Sequence, residues 1–188
     1  AITHADGNVA FAKLYMPVLK KWAIYLAEKG YDPENQLCTD DFAGHLAHNV
    51  NLSAKAILAL GAFAEIVNDM GDATGWSYYV AEAHDAADRW VKDAADGDHT
   101  RLTFDKAGTW SQKYNLIWDR ILGLNLFPEA MKKREAAYYR KIQQPFGLPL
   151  DLAGDAIAAD GHRLQDCRLL VVHKHGVGKR VVVKQGIP

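Results

Sequence analysis

Two adjacent carboxylates, two imidazoles and several carboxamides are crowded into Gln36-Leu-Cys-Thr-Asp-Asp-Phe-Ala-Gly-His-Leu-Ala-His-Asn-Val-Asn51. Such a mix of proton acceptors, proton donors and amides suits acid–base chemistry on a polar substrate. If residues 40–48 are helical, Asp41, His45 and His48 fall at i, i+4 and i+7 and share one face, with Asp40 and Asn49 displaced to the side. Two other readings compete. Thr39 can cap a helix whose first turn holds Asp40 and Asp41 for the macrodipole, leaving the histidines to solvent or ordinary hydrogen bonds. Alternatively, His at i and i+3 with a carboxylate can bind zinc, although the His-Glu-x-x-His spacing of metalloproteases is absent. The expectation is a site without metal or cofactor.

The element that must position these groups follows at once. Asn51-Leu-Ser-Ala-Lys-Ala-Ile-Leu-Ala-Leu-Gly-Ala-Phe-Ala-Glu65 is rich in small residues, so it can pack closely on its neighbours and hold the polar segment against a cavity wall. Periodicity predicts a third helix over about Ser53–Asp69 and a second from an Asn8 cap to Lys29, in which the apolar Phe11, Tyr15, Val18, Leu19, Trp22 and Leu26 recur at helical spacing. A short helix end precedes Asp6-Gly7. Further helices are expected over about Thr74–Ala95, Tyr114–Leu122 and, with Pro128 in the first turn, Glu129–Gln143. Helix follows helix through short turns, which predicts an all-α array of antiparallel hairpins. The stretch from Asp96 to Lys113 breaks the pattern: it is long, polar and glycine-bearing, and ordered loops of that kind commonly carry function.

Bulk properties narrow the classes. The chain has 188 residues, 49% apolar and 24% charged, with a net charge of −1. That composition fits one folded domain and gives no electrostatic case for nucleic acid or an anionic membrane. No apolar run is read as long enough to span a bilayer. Cys38 and Cys167 are the two cysteines, distant in sequence, so no disulfide framework or zinc ribbon is indicated. Cys38 is read as a small buried hydrophobe in preference to a nucleophile.

Composition shifts near the C-terminus. Residues 152–188 hold six Lys or Arg against three Asp, whereas residues 1–151 hold 16 against 20. The Val-rich runs around Gly176 and Gly178 would suit a small β-hairpin. The chain is therefore divided into residues 1–151 and an atypical tail, 152–188.

Three ordered segments carry a family resemblance: Leu37 to Ala56, Gly108-Thr-Trp-Ser-Gln-Lys-Tyr-Asn-Leu-Ile-Trp-Asp-Arg120, and Tyr138-Tyr-Arg-Lys-Ile-Gln-Gln-Pro-Phe-Gly-Leu-Pro-Leu-Asp151. Together they resemble the glutaminase A family over about residues 1–151. The resemblance implies a six-hairpin, or (α/α)6, toroid and secreted or periplasmic proteins. Six hairpins need about twelve helices, so the six read here would make part of a toroid from a larger protein, with exposed inner helices available for self-association. It also implies hydrolysis of the side-chain amide of L-glutamine to glutamate and ammonia. For that chemistry Asp40 or Asp41 can serve as base, and His45 or His48 as proton donor. His48, Asn49, Asn51, Lys106 and Gln112 are candidates for holding the substrate or its oxyanion, and Trp110 for walling the pocket. A carbohydrate-active enzyme is the competing expectation, with Trp76, Trp110, Tyr114 and Trp118 as stacking platforms. Trp22, Trp90 and Trp118 are read instead as core. A non-catalytic helical fragment is the third.

Overall fold

The computed structural model describes residues 1–37, 45–145 and 147–152, together with the backbone of 169–170. Six α-helices lie within these residues: α1 Ile2–Asp6, α2 Ala10–Lys29, α3 Val50–Asp69, α4 Ala73–Asp93, α5 Ile117–Ile121 and α6 Glu129–Ile142. The expected antiparallel hairpins are present. Twelve of the twenty residues of α3 are buried against two of the twenty in α2, so α3 is the central helix and α2 an edge.

Small residues set this packing. A Cβ on Gly30, at the end of α2, would lie 2.7 Å from the Cβ of Ala56 on α3 and 2.6 Å from the Leu26 carbonyl oxygen, so only glycine allows that approach. On the other flank, Tyr79, Ala83, Ala87 and Trp90 of α4 recur at helical spacing and meet Phe63, Ala64 and Val67 of α3 in one core. The Trp90 indole donates to the Val50 carbonyl at 2.9 Å, binding the end of α4 to the start of α3. The chain before α3 and the chain after α4 consequently emerge side by side.

The apolar positions of α2 divide between two faces, and the expectation that Trp22 lies in the core is corrected. Phe11, Tyr15 and Trp22 are exposed, and Ala12, Ala23, Met16, Leu19, Leu26 and Ala27 face the core. Apolar residues occupy two faces of this helix, and only the one bearing small side chains permits the close contact at Gly30. Trp118 is likewise 42% exposed, whereas Trp90 is core as expected. α3 also exceeds the apolar length read from the sequence. With a mean hydropathy of 1.6 over a membrane-length window it could cross a bilayer by length and composition, yet 67% of that window is buried within the protein, as in the core helix of a globular domain.

Among the described residues, strand is confined to two-residue pieces. β1 Ala95–Asp96 pairs with β2 His99–Thr100, β3 Trp110–Ser111 with β5 Asp151–Leu152, and β4 Leu148–Pro149 with β6 Leu169–Leu170, all antiparallel. The hairpin expected beyond Leu170 lies outside the described residues.

Candidate functional site at the start of the central helix

The first turn of α3 is built by its own sequence. Asn49 has an extended backbone, and its side-chain oxygen accepts from the Leu52 amide at 2.8 Å, so it is the N-cap. A cap ends the helix on its N-terminal side. His48 is accordingly not helical: it sits in a turn with φ of 60°, a left-handed conformation unusual for a side-chain-bearing residue. His45 is in an isolated β-bridge with Leu37. The shared helical face proposed for Asp41, His45 and His48 is therefore not formed over residues 45–48. Asp40, Asp41 and Cys38 lie outside the described residues.

Backbone hydrogen bonds clamp this segment on both sides. The His48 amide donates to the Pro33 carbonyl at 2.8 Å and the Leu46 amide to Gln36 at 3.1 Å, while Phe104 donates to the His48 carbonyl at 3.0 Å and Val50 to Leu102 at 3.0 Å. Residues 45–50 thus run between the turn at 32–37 and the loop at 102–106. At its rim, His48 Nδ1 lies 2.8 Å from Asp32 Oδ1, with the two side chains 45% and 51% exposed. The hydrogen bond to Asp32 raises the His48 pKa above its ordinary value against the opposing effect of burial, and the charges of Asp32 and then Asp105 add to the rise. His45 and Lys106 are exposed at the same end.

Beneath the rim the remaining expected site residues are buried and bonded. Asn51 accepts from Asn115 at 3.3 Å. Gln112 donates from Nε2 to the Pro149 carbonyl at 2.9 Å, and its amide donates to Leu150 at 2.9 Å. Trp110 has no exposed surface, and its indole donates to Glu135 Oε1 at 2.7 Å. A ring so enclosed holds the loop from beneath; the expectation that it walls an open pocket or stacks a sugar is corrected. Glu135 also accepts from the amide and hydroxyl of Thr100, both at 3.0 Å, so one carboxylate of α6 fixes both ends of the 100–110 loop. Beside it, the Lys113 ammonium is buried and donates to the Ser111 carbonyl at 2.7 Å and hydroxyl at 3.1 Å. Burial pushes the Lys113 pKa down to about 8, opposed in part by the Glu135 charge.

Sequence reasoning missed Asp32, Lys113, Asn115 and Glu135 as partners. Glu135 left a legible signal, for it stands four residues after buried Met131 on the face of α6 that continues to Tyr138 and Tyr139. Asp32 left none, since Tyr31-Asp-Pro-Glu reads simply as a turn. Among the described residues no three metal-binding side chains converge.

The sequence matches a known family. The model of the glutaminase A six helical-hairpin domain covers residues 1–162. The chain belongs to that family. It is 38% identical over 141 residues to glutaminase A of Aspergillus oryzae, an alignment covering 73% of this chain and 20% of the relative. A protein of Arthroderma benhamiae whose name also describes a glutaminase is 28% identical over 161 residues, covering 70% of this chain and 19% of its own. The chain thus spans about a fifth of the length of these curated relatives. No solved structure matches it. The family match takes in every candidate site residue and runs past Asp151.

Proposed function

We propose that this domain forms part of a glutaminase-type amidohydrolase that converts L-glutamine to glutamate and ammonia. The observation that carries the reading is the family match to proteins named glutaminase A, which spans the whole polar end of α3. Chemistry supports it. Amide hydrolysis requires a base to take a proton from water as its oxygen attacks the amide carbon, and an acid to protonate the departing nitrogen. Asp41 or Asp40 is the base in this proposal. Their described neighbours Leu37 and His45 are bridged at the start of α3, so both ends of the segment are anchored there. His48 is the acid, and Lys106 at the rim offers a cation for the substrate carboxylate.

The test is ammonia release from L-glutamine by the protein and its Asp41→Asn variant. Loss of a positioned base is expected to lower turnover by about 10² to 10⁴ with folding intact. A variant with full turnover and a small stability loss, about 0.3 to 1 kcal/mol, would make Asp41 a helix-terminal charge. Absence of ammonia release from the unmodified protein would overturn the reading. The exposed pair Tyr114 and Trp118, 39% and 42% accessible and four residues apart, favours sugar stacking as the second reading. Cleavage of oligosaccharides in place of L-glutamine would establish it.

A further inference from the structure

We propose that Asp32 is a positioning residue for His48, holding the ring so that Nε2 is the one atom left to exchange a proton at the start of α3. The proposal rests on the amidohydrolase reading above and assigns a partner to its acid. Three observations carry it. First, Asp32 Oδ1 is 2.8 Å from His48 Nδ1, so in the neutral ring the proton resides on Nδ1 and Nε2 keeps its lone pair. Second, the backbone at His48 is held in its left-handed conformation, with φ of 60°, by hydrogen bonds on both sides, from its amide to Pro33 at 2.8 Å and to its carbonyl from Phe104 at 3.0 Å. A strained non-glycine residue whose surroundings over-determine it is a feature concentrated at functional sites. Third, the hydrogen bond from the His48 amide to the Pro33 carbonyl ties His48 to the residue directly after Asp32, so the short turn itself delivers the carboxylate to the ring.

The surrounding charges act in the same direction. Asp105, on the loop packed against the other side of His48, adds a second negative potential, and together with Asp32 it favours the imidazolium. Protonated, the ring donates from Nδ1 to Asp32 and presents Nε2–H outward. When a substrate amide nitrogen leaves, that proton moves to it, and Nε2 regains its lone pair. The Asp32 carboxylate accepts from Nδ1 throughout, as the orienting acid of a histidine–carboxylate pair does.

Asp32→Asn tests this, because it keeps the shape of a half-exposed side chain while deleting its charge. Nitrogen-15 NMR of the His48 ring across pH reads the tautomer and the pKa without any assay of turnover. The expected result is a downward movement of the His48 titration and loss of the dominant Nδ1–H form, with the fold unchanged by circular dichroism. The acidic group seen in the pH profile of kcat for ammonia release should move down in parallel, with KM little altered. An unchanged His48 titration and tautomer would overturn the positioning role. A moved titration with an unmoved pH profile would overturn its link to the reaction. If the unmodified protein releases no ammonia, the amidohydrolase reading fails, while the NMR result still decides what Asp32 does to His48.

Discussion

Lys113 gives the protein a pH dependence of stability that can be worked out in advance. Its ammonium is buried and donates to the carbonyl and hydroxyl of Ser111, and burial, opposed in part by the Glu135 charge, brings its pKa from 10.5 down to about 8. The folded pKa thus lies below the unfolded one, so between pH 8 and 10.5 the unfolded chain binds more protons and stability rises with pH. At neutral pH both states hold the proton, and the gap between 8 and 10.5 corresponds to about 3 kcal/mol of lost stability. By about pH 9.5 some 1 to 1.5 kcal/mol of that cost remains, which leaves a gain of about 2 kcal/mol from pH 7. Lys113→Met retains the aliphatic length and abolishes the titration. Urea unfolding of both proteins at intervals from about pH 7 to 9.5 should show the wild type gaining about 2 kcal/mol relative to the variant. The range stops there because Tyr31 and Tyr139 have raised pKa values, chiefly through burial, and act in the opposite direction once the unfolded phenols ionise. A stability difference between the two proteins that is constant across the range would refute the account of Lys113 as a buried charge.

Other consequences follow from the same structure. Asn49→Ala deletes the acceptor for the Leu52 amide and should cost about 1 kcal/mol in urea unfolding; no loss would remove Asn49 from its capping role. The aromatic face of α2, with Phe11, Tyr15, Trp22 and Tyr25 between 46% and 61% exposed, predicts concentration-dependent association of the isolated chain. Sedimentation velocity should detect it, Trp22→Glu should weaken it, and a monomer at every concentration would refute it. Deleting residues 155–188 should leave Tm nearly unchanged, because among the described residues that segment adds just the two-residue β4–β6 pairing; a large drop would make it part of the core.

The helices were legible because their signals are local. α2 ends at Lys29 as expected, Pro128 stands directly before α6, and α3 runs to Asp69 as its periodicity implied. The family too was legible in three ordered segments, which the match over residues 1–162 contains. The sequence also placed the polar end of α3 at the centre of attention, and the structure adds that Asn49 caps the helix there.

Tertiary structure decided the rest. Two faces of α2 are apolar, and periodicity is equally satisfied by either; the contact at Gly30 and Ala56 selects the one with small residues. The buried Trp110 indole finds its acceptor in Glu135, 25 positions later on α6. His48 finds Asp32 across 16 positions because backbone hydrogen bonds lay the two turns together. A helix is specified by neighbours three and four residues away, so its pattern is written in the chain. A carboxylate that orients a histidine, or clamps a loop, is specified by where packed elements bring distant residues, and that placement exists only once the core around α3 has formed.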